Sequence, residues 1–277
     1  MAGIKPVHLR IVDTDQVRPH EVADTLREQK IERRLKADGI LRDPLMVGAV
    51  PDLDGYVLLD GTNRKQALAE LGYPRVMVQV LEYADPHAVQ LQTWCHVARM
   101  LIGELLHMAA EIPGLVAAPV PPLGVTDALA DAATLALLLG KRERFALSRV
   151  REHEGSRVDQ LRQFVDLYEE RMVRVDCNPD EVEERSQRLS GEDGSRVLIA
   201  FPRFSRSQVV SMAVGKALIP AGITRHIILC GRALRVNLPL DYLEDTQSTE
   251  AANLALQRHL SALAPRTYTE PTILFDS

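Results

Sequence analysis

Between Tyr56 and Pro74 the chain passes from a short apolar run, Tyr56 to Leu59, through Asp60-Gly61 into a helical pattern, Thr62 to Leu71. Gly72-Tyr73-Pro74 then stops it. A strand end, a tight turn and a helix start in so few residues leave little freedom of path. The helix must begin at the carboxyl end of the strand, with its first N–H groups unpaired. Such a start attracts anions, because the free N–H groups and the helix dipole both favour negative charge. Arg64 falls in the first turn, where a positive charge opposes the dipole; a bound anion would compensate it. Asp60 stands at the lip of this cradle and can hold a cation or steer a proton. Asp-Gly is also an ordinary turn pair, so the turn alone does not establish a phosphate site. The arginine is what favours the cradle.

The surrounding pattern extends this into an α/β unit. Val7–Val12, Leu45–Val50 and Val76–Leu81 read as strands, and Val22–Ala37 as a helix ended by Asp38-Gly39. Pro86–Glu111 reads as helical, and the prolines at 113, 119, 121 and 122 mark a loop or boundary. Ala128–Leu139 fits a buried helix or a strand equally well. Further on, Arg144–Ser148 and Arg196–Phe201 read as strands. Gln160–Arg174, Asp180–Leu189 and Ser205–Leu218 read as helices, with Ser205 or Ser207 as a cap for the last. Ala221–His226 reads as a loop.

Composition excludes more than it identifies. The net charge of −5 argues against a general nucleic-acid binder. The three cysteines, Cys95, Cys177 and Cys230, are far apart and lack metal-ligand spacing, which predicts reduced thiols and a cytoplasmic setting. Met1–Pro6 carries no apolar signal core, and no charge-free run reaches the roughly 18 residues of a membrane span.

Three further clusters carry polar chemistry. His20-Glu21 falls at the predicted start of the first long helix, where an acidic residue normally serves the helix dipole. A carboxylate near a phosphate cradle can also act as a general base. Thr224-Arg225-His226 follows Pro220-Ala221-Gly222 and places three donors together, which suits a phosphate or carboxylate. A solvated surface loop explains that triplet equally well. Thr93-Trp94-Cys95-His96 holds the only tryptophan; Trp94 and His96 could frame a small polar substrate or belong to the core.

Taken in order, these blocks resemble the free L-serine kinases of the ParB/sulfiredoxin-like superfamily. The resemblance runs through His20-Glu21, Asp38-Gly39-Ile40-Leu41-Arg42-Asp43-Pro44, Leu59–Arg64, Trp94-Cys95-His96, Leu218–His226 and Gly231–Leu240. Each block is short; their order is the specific signal. The resemblance implies an α/β (α+β) fold, with a ParB/sulfiredoxin-like nucleotide-binding domain over residues 1–85. A C-terminal α/β domain, 86–277, completes the active-site cleft. It implies phosphorylation of L-serine to O-phospho-L-serine with ATP or ADP and Mg2+, feeding siderophore precursor or amino-acid synthesis.

Residue by residue, Glu21 matches the family's catalytic base and Asp60 the aspartate that works with the metal. Gly61, Thr62, Asn63 and Arg64 match the nucleotide phosphate loop. Thr224, Arg225 and His226 match the group that contacts the transferred phosphate or the product. Trp94 and His96 match positions near the amino-acid substrate. Thr62-Asn63 stands where many relatives carry two histidines, which resembles the siderophore-pathway branch and leaves the donor open. The implied partners are L-serine and a nucleotide, with no nucleic acid and no membrane, and the resemblance leaves room for a homodimer.

Two other readings of the cradle compete. A ParB-like nucleotide-dependent DNA-binding or regulatory protein usually carries Gly-Glu-Arg-Arg there. This chain has Gly61-Thr62-Asn63-Arg64 and no basic helix-turn-helix. A sulfiredoxin-type reductase needs a reactive cysteine in the cradle, where Thr62 stands.

Overall fold

The computed structural model describes residues 7–176, 181–191, 193–246 and 248–266. Cys177, Asp180 and Met1–Pro6, which figured in the sequence reading, lie outside them. The first unit runs β1 (Leu9–Asp13), β2 (Val17–Arg18), α1 (Thr25–Asp38), β3 (Ile40–Leu41), β4 (Leu45–Ala49), β5 (Tyr56–Asp60), α2 (Thr62–Glu70) and β6 (Arg75–Glu82). Its sheet has the order β1-β6-β4-β5-β2. The β4/β6 and β2/β5 pairs are parallel; β1/β6 and β4/β5 are antiparallel.

Helix α1 starts later than the pattern predicts. Val22 donates its N–H to the Ile219 carbonyl (2.9 Å), and Asp24 caps the helix by accepting from the Arg27 N–H (3.1 Å). Glu21 therefore lies in an extended segment before the helix and not on its first turn. Gly39 ends α1 in the left-handed conformation, as expected.

The second unit contains β7 (Val89–Ala98), α3 (Ile102–Ala109), β8 (Leu115–Pro119), α4 (Val125–Ala130), β9 (Thr134–Leu139) and β10 (Arg144–Arg149). It continues with α5 (Arg157–Asp166), β11 (Met172–Asp176), α6 (Val182–Leu189), β12 (Val197–Ala200), α7 (Arg206–Gly215) and β13 (Thr224–Ile228). These strands form an antiparallel sheet, β11-β7-β12-β9-β10-β8, with β13 added to β7. The predicted helix over Pro86–Glu111 is thus a ten-residue strand followed by a short helix. Val89, Leu91, Thr93, Cys95 and Val97 alternate along β7 with a period of two, which a strand satisfies and a helix does not. Ala128–Leu139 divides between α4 and β9. The predicted helix Gln160–Arg174 divides between α5 and β11, and Thr224–His226 is strand where a loop was predicted.

The chain then returns to the first unit through β14 (Leu238–Pro239), which pairs with β3, and α8 (Thr249–Ser261). Asn253 of α8 gives Nδ2–H to the Ile11 carbonyl (2.7 Å) and accepts the Ile11 N–H at Oδ1 (2.9 Å). That contact and the helix cover the free edge of β1. Residues 236–260 share the core of the first sheet. Alternate residues of β5 face opposite cores: Leu58 joins that one, whereas Val57 and Leu59 join the core that contains Leu81 of β6, Tyr83 and, from the second unit, Val209. Both faces of the sheet are thus buried, so the carboxyl end of β5 opens at the junction of the two units. Among the described residues, no helix is long and apolar enough to cross a membrane.

Candidate active site

Glu21 is pinned to the segment before β13. Its backbone bridges Ile219, whose N–H donates to the His20 carbonyl (3.0 Å). Oε1 accepts from the Thr224 N–H (2.7 Å) and hydroxyl (2.5 Å), and Oε2 from the Gly222 N–H (2.9 Å). The turn supplying these donors is itself held. Arg162 donates to the Leu218 carbonyl (2.7 Å), Arg174 to the Ala221 carbonyl (3.0 Å) and His96 to the Gly222 carbonyl (2.9 Å). Gly222 has φ +76°, and a Cβ there would sit 1.9 Å from Arg174 Nε. Only glycine lets that guanidinium lie against the turn.

Asp60 ends β5, and Gly61 (φ +108°) turns the chain into α2 with no side-chain cap on the helix. A Cβ on Gly61 would come within 3.0 Å of both Leu45 and Arg64. The first N–H groups of α2 therefore remain available to an anion. Asp60 Oδ2 accepts from Arg232 (2.5 Å) and lies 3.6 Å from Arg64. Burial alone would raise its carboxyl pKa, but the two guanidiniums outweigh that and hold it below the usual carboxylate range. Asn63 turns away from the cradle mouth: its Oδ1 accepts the Asp24 N–H (2.8 Å), tying the start of α2 to the cap of α1.

A polar seam joins the two acidic residues. His20 is buried and donates Nδ1–H to the Leu58 carbonyl (3.0 Å), while its Nε2 lies 2.7 Å from the Thr224 hydroxyl. The His226 ring stands edge-on to His20 at 5.4 Å between centroids, with its Nε2 3.0 Å from the Tyr83 hydroxyl. The seam thus carries two imidazoles and the Thr224 and Tyr83 hydroxyls. Across the sheet, the Arg225 guanidinium lies 4.5 Å from the Trp94 ring centre and pairs with Asp176. β13 pairs with residues 89–93 of β7 and β11 with residues 94–98, and Trp94 sits where the two registers meet. An open cleft of ≈ 600 Å³ lies alongside, lined by Gln90, Gln92, Arg203, Phe204, Ser205 and Arg206.

Three of the expected substrate contacts lie inside the protein. His96 has no exposed surface. It accepts from the Tyr168 hydroxyl (3.1 Å) and holds Gly222, acting behind Glu21. Thr224 and His226 are also buried, and the Thr224 hydroxyl already serves Glu21 and His20. Of that triplet, only Arg225 retains a side chain toward the surface. Sequence reasoning missed Tyr83, Arg174 and Arg232 as site residues. Gly231-Arg232 was visible as part of an ordered block; Tyr83 and Arg174 carried no local signal.

The buried histidines give the site an acid limit. Burial lowers the His96 pKa to about 4 and, with the His20 charge adding to it, that of His226 to about 3, from an ordinary value near 6.5. Below pH 6.5 the unfolded chain therefore binds protons that the folded one refuses. Their contribution is complete above that pH and is lost as pH falls toward the folded values. Each costs about 1.4 kcal/mol per pH unit across that window. Urea midpoints measured from pH 7 to pH 5 are expected to fall accordingly; a flat profile would contradict the assignment.

The mixed sheet with a helix starting at its Asp-Gly turn, closed by an antiparallel sheet that brings a carboxylate to the same seam, has the fold of solved free serine kinases. No protein-family model matches the chain. It is 24% identical over 274 residues to the ATP-dependent L-serine kinase SbnI of Staphylococcus aureus, covering 97% of both chains. It is 30% identical over 109 residues to an ATP-dependent L-serine kinase of Staphylothermus marinus, covering 39% of this chain and 42% of that protein. The chain thus matches under half the length of the second relative. A solved free serine kinase in complex with AMP superposes with a TM-score of 0.72 at 17% identity, covering 86% of this chain and 95% of that one. The chain is similar in sequence to the L-serine kinases and shares their fold.

Proposed function

We propose that this chain is a kinase of free L-serine that makes O-phospho-L-serine. One observation carries the reading most directly. A carboxylate, Glu21, is fixed by three donors on the same polar seam as an uncapped helix start bearing Asp60 and Arg64. The similarity to kinases so named over nearly the whole chain supports it. The domain division that goes with it sets residues 1–85 and the returning segment against 86–230.

Phosphoryl transfer needs positioning and charge neutralisation more than covalent chemistry from the protein. The N–H groups of Thr62, Asn63 and Arg64, turned outward by Gly61, and the Arg64 guanidinium hold the nucleotide phosphates. Arg232 adds a second cation beside Asp60. Trp94 and Arg225 form the wall that receives the amino acid or its phosphate. Glu21 takes the proton as the serine hydroxyl attacks. Among the described residues no cluster of three His, Cys, Asp or Glu side chains could hold a metal by itself. Asp60, an oxygen ligand at the mouth of a phosphate cradle, fits a Mg2+ ion held largely by nucleotide and water. Such an ion would neutralise phosphate charge.

The expected donor is ATP, in line with the two relatives above. The setting is the cytoplasm, and the product serves siderophore precursor or amino-acid synthesis. The test is a side-by-side assay of L-serine with ATP or ADP and Mg2+, with product identified by mass. Phosphoserine from ATP is the expected result; none from either donor rejects the reading.

A further inference from the structure

We propose that Thr224 and His20 form a proton relay behind Glu21, so that the proton released by the acceptor hydroxyl passes from the carboxylate into the protein interior. The proposal rests on the kinase reading above.

The argument is a count of hydrogens. Three contacts lie in series: the Leu58 carbonyl to His20 Nδ1 (3.0 Å), His20 Nε2 to Thr224 Oγ1 (2.7 Å), and Thr224 Oγ1 to Glu21 Oε1 (2.5 Å). Each needs one hydrogen. The carbonyl can only accept, so one hydrogen must sit on Nδ1. With His20 neutral and Glu21 ionised, only the hydroxyl hydrogen remains, and it must serve two contacts. The series is therefore one proton short at rest. Burial lowers the His20 pKa and keeps the imidazole neutral at rest, although Glu21 opposes that shift.

The reaction supplies the missing proton. The serine O–H bond breaks as its oxygen attacks the terminal phosphorus, the P–O bond to the departing nucleotide breaks, and the proton goes to Glu21. A concerted shift then moves the Glu21 proton to Thr224 Oγ1 and the original hydroxyl proton to His20 Nε2. Glu21 is again a carboxylate, and all three contacts are filled. The resulting imidazolium lies 4.0 Å from Glu21, which favours it. Among the described residues, His226 faces His20 besides Glu21, at 5.4 Å between ring centroids. His226 is itself held neutral by burial.

A relay moves more than one proton in the transition state, and a merely structural threonine does not. Single-turnover rates of phosphoserine formation in H2O–D2O mixtures read this directly. The wild-type plot of rate against deuterium fraction is expected to bow. Thr224→Val and His20→Asn are expected to make it linear and to slow the step at least tenfold. Thr224→Ser keeps a hydroxyl and should restore both curvature and rate. A linear wild-type plot overturns the relay without any variant, as does a bowed plot at full rate in Thr224→Val or His20→Asn. Absence of phosphoserine from the wild-type protein is a different failure, because it removes the kinase reading itself.

Discussion

Glu21→Gln is expected to lower the turnover of serine phosphorylation about 10²- to 10⁴-fold, the range for loss of a general base, while nucleotide affinity stays within about twofold. Glutamine preserves the size of the side chain but cannot take a proton at neutral pH. Its carbonyl oxygen can still accept from the Thr224 N–H and hydroxyl, so the fold of the turn should survive. Its NH2 group then faces the Gly222 N–H, which donates to Oε2 in the native chain. Two donors opposed in a partly buried place cost about 1–3 kcal/mol, a modest fall in melting temperature. Nucleotide affinity should hold because the phosphate cradle belongs to α2 and Glu21 does not touch it. Isothermal titration with nucleotide and steady-state rates separate the two effects. Full turnover in the variant would remove Glu21 from the proton step.

How much of this was legible in the sequence differs between the two units. In the first unit local signals agree with the fold, apart from the start of α1. Gly39 and Gly61 adopt the positive φ that their turns require, and Tyr56–Asp60 and Thr62–Glu70 form within a residue of their predicted bounds. In the second unit a local reading failed. The alternation from Val89 to Val97 already carries the strand at residues 89–98, which the helical reading missed; that β11, β12 and β13 all pair with it is what no window of sequence reveals. On that strand Trp94 and His96 have different surroundings: one reaches Arg225, the other lies wholly inside. The candidate site was half legible for the same reason. Glu21 and Asp60 stood out as carboxylates beside recognisable turns. Their surroundings come from residues about 170 to 200 positions away, Gly222, Thr224 and Arg232, which only the fold brings in.

Asp60→Asn should move binding and turnover in opposite directions. The carboxylate now counters two cations, Arg232 at 2.5 Å and Arg64 at 3.6 Å. Replacing it with a neutral group of the same shape leaves both guanidiniums facing the cradle without their counter-ion. The local potential rises, so nucleotide binds as tightly as before or a few-fold more tightly. Turnover should nevertheless fall about 10²-fold or more, the scale of losing one well-placed charge at a reacting phosphoryl group. An added divalent cation should restore little of it, because the oxygen ligand is gone. A misfolded variant would lose both properties together, and an aspartate that merely shapes the turn would lose neither, since asparagine makes the same turn. Titration calorimetry with and without Mg2+, set beside steady-state rates, distinguishes all three. Unchanged turnover in Asp60→Asn would show that the two arginines carry the phosphate unaided and that Asp60 only keeps them apart.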